Sequence, residues 1–215
     1  ILASFDHKLA SHATRDLEKL GVQVWTSSYV TNIDEHGVEV EKERIEASTV
    51  VWAAGVLASS LSKLLGAELD KVGRVIVEKD LSVKNNKNVF VVGDQANYSH
   101  YNGKPLPGQA PIALQEGRFV AELIVDEVQG KQRKAFDYFE KGQVATIGRS
   151  RAILESGKLR LTGFMAWIMW LIIHIYYLTG FKNRVFVVFN LAWSYLSFKR
   201  GARLIVPKEW RFYNK

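Results

Sequence analysis

Apolar residues recur at helical spacing in Leu9, Ala13, Leu17 and Leu20, and Gly21 follows where a C-terminal cap belongs, so the pattern predicts a helix over residues 7–20. The period then shortens. Residues 22–25 and 29–33 read as strands, Glu35-His36-Gly37 as a turn, and residues 38–41 as a returning strand. Residues 49–55 form an apolar stretch that runs into glycine, which predicts a short buried strand, and a helical pattern over 57–65 stops at Gly66. Residues 74–77 predict another strand, and 88–94 a buried one ending on Gly93 and Asp94. A loop carrying Gly103, Pro105, Pro107 and Gly108 leads into a helix over 110–128, with Ala113, Val120, Ala121, Ile124 and Val128 on one face. Short strands are predicted over 143–147 and 152–154. Strands followed by helices imply an α/β fold.

The last quarter of the chain has a different texture. Residues 161–181 are uncharged, bracketed by Arg160 and Lys182, and long enough as one helix to cross a bilayer. Lys182-Asn183-Arg184 predicts a break, after which a second uncharged run covers 185–198 and ends in Lys199, Arg200 and Arg203. A helical hairpin is the expected shape.

Charge sharpens that picture. The formal net charge of +7 is not spread evenly: residues 1–150 hold 18 Lys/Arg against 20 Asp/Glu, whereas residues 151–215 hold 11 against 2. Cations, tryptophans (Trp167, Trp170, Trp193, Trp210) and continuous hydrophobicity together are the composition of a membrane-contacting segment and argue against nucleic acid as the partner. The absence of cysteine excludes disulfides, thiolate metal sites and thiol catalysis by these residues, and no metal site is expected. The chain starts at Ile1 with neither an initiator Met nor a signal-like segment, so it is expected to be a fragment.

In an open α/β sheet, ligands sit at the carboxyl ends of strands, where an acid such as Asp94 can accept hydrogen bonds from a ribose or ribityl chain and Gly93 lets the backbone come close. The same residues also read as a strand ending in a turn whose Asp caps a helix. Val50-Val51-Trp52-Ala53-Ala54-Gly55 is similarly a plain buried strand or a place where small residues admit a cofactor.

Residues 89–94, with the loop that follows and the helix start Gln109-Ala110-Pro111-Ile112-Ala113-Leu114-Gln115, resemble the second FAD-binding signature of flavoproteins with two dinucleotide-binding domains, and residues 50–55 resemble that family's strand near the crossing between the NAD(P)H and FAD domains. The stretch 136–149, then Gly163-Phe164-Met165-Ala166-Trp167 and the cationic end, resemble the C-terminal part of the type II NADH:quinone oxidoreductases, single-subunit enzymes that do not pump protons. The resemblance implies a partial Rossmann-like, two-dinucleotide-binding-domain fold with a C-terminal membrane-associated helical hairpin. It assigns residues 1–55 to the NADH-binding domain, 56–135 to the FAD-binding domain, 136–160 to a link of short strands and 161–215 to membrane anchoring.

The activity it implies is transfer of electrons from NADH through FAD to a membrane quinone. Asp94 would contact the ribityl–phosphate region of the flavin, Gln109 and Ala110 would lie against its ring, and Ala53, Ala54, Gly55 and Gly93 would let cofactors approach. Gln115 and Lys141 match positions that face the quinone. Trp167, Trp170, Lys182, Arg184, Lys199, Arg200 and Arg203 are the expected membrane contacts. One departure is Pro111, which stands where the family often has a first glutamine; proline is sterically welcome in the first turn of a helix. No two glycines are spaced as Gly-x-Gly, so neither nucleotide fingerprint is present, and both are expected upstream of Ile1.

His174 lies alone in the apolar run and is read as a stacked or hydrogen-bonded side chain rather than a haem ligand. By pattern the run suggests a span; the resemblance favours a monotopic helix pair on the cytoplasmic face of a bacterial inner membrane, with a homodimer contact as a second way to cover apolar surface. Other readings of the same residues are a sulfide:quinone oxidoreductase, against which the lack of cysteine counts, and a membrane-tethered scaffold with an inherited fold.

Overall fold

The computed structural model describes residues 1–53 and 55–197. Along the chain run α1 (His7–Lys19), β1 (Val30–Asp34), β2 (Gly37–Val40), β3 (Glu43–Glu46), a 3-10 helix (Ser60–Leu65), β4 (Val75–Ile76), β5 (Ser82–Val83) and β6 (Asn86–Phe90). A 3-10 turn (Gly93–Gln95), β7 (Ala96–Asn97), α2 (Ala110–Val128), β8 (Gln143–Gly148), β9 (Arg151–Ser156), β10 (Leu159–Thr162), α3 (Gly163–Tyr177) and α4 (Phe181–Ser197) follow. Contacts divide the described residues into two compact units, one of residues 1–27 with residues 142–197 and the other within residues 28–141.

In the first unit β9 is the centre of an antiparallel sheet of order β10-β9-β8. Because successive side chains of a strand point to opposite faces, Ala152 and Leu154 face one way and Ile153 the other. Ala152 and Leu154 pack with Ala166 and Trp167 of α3, while Ile153 packs with Leu9 and Ala13 of α1. A strand covered on both faces reads as an uninterrupted apolar run, which is how Ala152-Ile153-Leu154 reads. α1 starts where Asp6 accepts a hydrogen bond from the Lys8 N–H, and the Asp6 N–H in turn donates to Glu155 of β9.

The uncharged run 161–181 is not one helix. Leu161 and Thr162 complete β10, pairing with Leu154 and Ile153. α3 then has 15 residues, about 22 Å at the usual rise, against a hydrocarbon core of about 30 Å. It stops where Leu178 turns extended, and no helix among the described residues is long and apolar enough to cross a membrane. The break also lies earlier than the sequence suggests: Lys182, Asn183 and Arg184 belong to the first turn of α4. Cations are unfavourable at a helix N-terminus. Arg184 is used otherwise, since its Nε donates across the break to the Leu178 carbonyl, an acceptor the end of α3 leaves open. At the far end of α4, Arg149 donates to the Tyr195 carbonyl at 2.6 Å and stacks over its ring at 4.2 Å.

In the second unit β1, β2 and β3 form an antiparallel meander, β4 pairs in parallel with β7, and β5 pairs antiparallel with β6. The core gathers Val75, Val77, Leu81, Val83, Ala96, Tyr98, Leu106, Ile112 and Phe136. Tyr98 satisfies its buried hydroxyl by donating to the Phe136 carbonyl. Asp70 accepts from Arg74 Nε at 2.7 Å and from Asn97 Nδ2 at 2.9 Å, which joins the loop before β4 to β7. Residues 22–25 and the described residues of 49–55, both predicted as strands, are not paired in a sheet, and β3 lies outside the predicted strands. A strand without a neighbour has no ladder to close its backbone, and Val51 is accordingly 80% exposed.

Arg133 fastens the segment after α2. It donates to Asp80 at 2.9 Å, to Glu127 and to the Lys87 carbonyl at 2.7 Å, with its guanidinium 5.2 Å above the Phe90 ring. Burial works against the Asp80 charge, but bonds from Ser82 and Arg133 hold its carboxyl below its usual value. Arg133→Ala is expected to cost about 1–2 kcal/mol after allowing for solvent screening, read as a lowered urea midpoint with unchanged slope.

Candidate functional site

The candidate site is built where β6 runs out. Val92 is extended, Gly93 turns at φ +70°, and Gly93–Gln95 makes a single 3-10 turn that presents Asp94 to solvent. A side chain at 93 would be strained by that φ and would also meet Ala113 of α2 at 3.3 Å. Gly108 approaches from the other side, and a Cβ there would lie 3.2 Å from the Asp94 carboxyl carbon. Glycine at both positions is what allows the turn, the loop and α2 to converge. Behind the turn, the buried Ser62 hydroxyl donates to Gln95 Oε1 at 2.9 Å.

α2 begins at Ala110 with Gln109 extended before it and no side chain capping its first turn. Pro111 falls in that turn, where its missing N–H costs nothing. The helix N-terminus therefore offers partial positive charge beside Asp94 and exposed Gln109 and Ala110.

The structure brings Gly93, Asp94, Gln109 and Ala110 together. Ala53 and Gly55 are exposed on an unpaired segment, and Ala54 lies outside the described residues. Gln115 is already engaged: its Nε2 donates to the Phe139 carbonyl at 3.1 Å and its Oε1 accepts from the Phe139 N–H at 3.1 Å, so its amide clamps the stretch leading to exposed Lys141. Trp167, expected at a membrane surface, is a core residue only 9% exposed, because α3 lays it on β9 and against Tyr195 at 5.0 Å. Trp170 is half-buried and stacks on His174 at 4.5 Å, and His174 Nδ1 lies 2.7 Å from the Trp170 carbonyl, as the stacked reading of that histidine expects. Lys182 is exposed; Lys199, Arg200 and Arg203 lie outside the described residues.

Sequence reasoning missed Glu116. It is 1% exposed, and its Oε2 accepts from the Gly93 N–H at 2.5 Å. Burial, with the Asp94 charge adding, pushes its carboxyl up to about 7, although the Gly93 bond pulls the other way. A signal was present: Ile112 and Glu116 stand four apart, on the face α2 buries.

The model of the family described as pyridine nucleotide-disulphide oxidoreductase matches residues 1–117, more than half of the chain, and the chain belongs to that family. Within it, the chain is similar to the enzymes the sequence resembles. It is 40% identical to type II NADH:quinone oxidoreductase NdhA of Mycobacterium tuberculosis over 97% of this chain and 46% of that protein. It is 35% identical to type II NADH:quinone oxidoreductase of Staphylococcus aureus over 69% of this chain and 38% of that protein. The chain thus spans half or less of the length of these curated relatives. The structure of NDH2 from Plasmodium falciparum in complex with NADH superposes with a TM-score of 0.83 over 94% of this chain and 57% of that one, at 14% identity, which shows a shared α/β fold.

Proposed function

We propose that the protein carrying this chain is a flavin-dependent enzyme that passes electrons from NADH through FAD to a membrane quinone. The observation that carries the reading is the Gly93–Asp94 turn set against the N-terminus of α2, in a chain 40% identical to an enzyme of that name. The residues fit the ribityl and ring end of a flavin: a solvent-facing carboxylate for hydroxyl groups, glycines where a Cβ would fill the approach, and an open helix N-terminus. Bound FAD would supply the hydride acceptance and the electron delivery; the protein holds and orients the reactants. No Gly-x-Gly turn for a pyrophosphate occurs in these residues, so the chain contributes the flavin-ring side of the site.

In this reading residues 1–55 belong to the NADH-binding domain and 56–135 to the FAD-binding domain, with Ala53, Ala54 and Gly55 near the nicotinamide. Gln115 acts on the quinone side by fixing the Phe139 backbone, and Lys141 extends from that clamped stretch. α3 and α4 serve as a monotopic anchor on the cytoplasmic face of the membrane. Phe181, Phe186, Phe189 and Trp193 of α4 are all strongly exposed, with Lys182 beside them for head groups, and a second copy of the chain is the other partner able to cover them.

The test is made on the intact protein in mild detergent. A flavin absorption spectrum is expected, bleached by NADH and restored by a soluble quinone. A protein that is colourless and binds no added FAD sinks the reading.

A further inference from the structure

Glu116 lies directly behind the turn that carries Asp94. A carboxylate withdrawn from water is costly unless a cation or several donors replace its hydration. Here the Gly93 N–H is the donor, and among the described residues no lysine or arginine pairs with it. The titratable groups that face it are themselves acidic: Asp94 on the 3-10 turn and Tyr98 after β7, while Arg118 of its own helix is exposed.

We propose that Glu116 is the positioning residue of the Gly93–Asp94 turn and takes up a proton when a flavin nucleotide settles over that turn and excludes water from it. This rests on the flavin reading given above. Excluding water from the turn removes the screening between Asp94 and the buried carboxylate behind it, which raises the cost of the second charge. Burial and Asp94 already place the Glu116 carboxyl near neutrality, at about 7 against an ordinary 4.5. Since the bound nucleotide raises it further, binding is strongest below the value of the free protein and weakens as pH rises through the value of the complex. Glutamine at 116 keeps an oxygen for the Gly93 N–H and cannot titrate. Leucine leaves that N–H unpaired.

The experiment titrates the intact protein, stripped of flavin, with FAD at about pH 6 and about pH 8.5, either side of the raised carboxyl value. Affinity is read by flavin fluorescence, and proton uptake by calorimetry in two buffers of different ionisation enthalpy. The wild type is expected to bind more tightly at the lower pH, about tenfold for each pKa unit by which FAD raises Glu116, and to take up protons. Glu116→Gln should hold the wild-type low-pH affinity at both pH values with no uptake linked to this site, and Glu116→Leu should bind weakly at both. Equal wild-type affinity at the two pH values, or a Glu116→Gln variant with the wild-type pH dependence, overturns the proposal while the flavin reading stands. A wild type that binds no FAD at either pH overturns the flavin reading, and the proposal with it.

Discussion

Leu81→Ala is expected to destabilise the protein by about 3–5 kcal/mol, and Leu81→Gly to cost no more than that. Leu81 is fully buried in the core of residues 28–141, in one cluster with Val75, Val83, Tyr98 and Phe136. Truncation to alanine removes the side chain and leaves a cavity that its neighbours, held by β4–β7 and β5–β6 pairing, cannot close. In most positions glycine would be worse than alanine by about 1 kcal/mol. At Leu81 the order is expected to level or reverse, because the residue sits at φ +65°, a conformation that costs a side-chain-bearing residue about 1–2 kcal/mol. The turn is fixed by the Leu81 N–H donating to the Glu78 carbonyl at 3.0 Å and by the Leu81 carbonyl accepting from Val91 at 3.1 Å. Urea denaturation of the two variants decides the matter: glycine more destabilising than alanine by a full kcal/mol or so would mean that the left-handed turn stores no strain.

The second large effect is a pH dependence of stability. The folded-state value of Glu116 is raised from 4.5 to about 7, so its contribution is fully present below pH 4.5 and is lost as pH rises through about 7. The size of that loss is about 3 kcal/mol for a shift of this magnitude. Asp70 and Asp80 are lowered in the folded protein, and their contributions run the other way, present above the ordinary carboxylate value and lost in acid. Between about pH 5 and about pH 8.5 the Glu116 contribution is the one that moves. Without flavin, Glu116→Gln is therefore expected to be more stable than the wild type by about 3 kcal/mol at about pH 8.5 and to lose most of that advantage near pH 4.5. Denaturant midpoints across that range check it. A wild type whose stability does not fall relative to the variant would show that the carboxylate keeps its charge without penalty, through water reaching it behind the turn.

Much of the candidate site was legible because it is local. The bounds of α2 follow from a Gly- and Pro-bearing loop, a proline in the first turn and a sustained apolar face, and all of these lie within neighbouring residues. Gly93 and Asp94 at the end of an apolar stretch are equally local. The roles of Gln115, Glu116 and Trp167 were not, because each is set by a partner distant in sequence. Gln115 meets Phe139, Glu116 meets Gly93, and Trp167 meets β9 and Tyr195. A glutamine, an acid or a tryptophan on a helix is polar, charged or amphipathic by type, and packing alone decides whether its polar atoms go to a ligand, to backbone or into the core.

By itself, the sequence determined the family, the alternation of strands and helices, the placement of α1 and α2, and the turn that offers Asp94, since each rests on residue type, short-range periodicity or a motif. Tertiary structure decided which apolar runs became strands and where the long one was divided. Residues 49–53 have the composition of a strand but no neighbour to close their hydrogen bonds, whereas Leu161 and Thr162 became strand because Leu154 and Ile153 lay alongside to pair with them. Hydrophobicity sets how much surface a segment must bury; the backbone partner it finds sets the form in which it is buried.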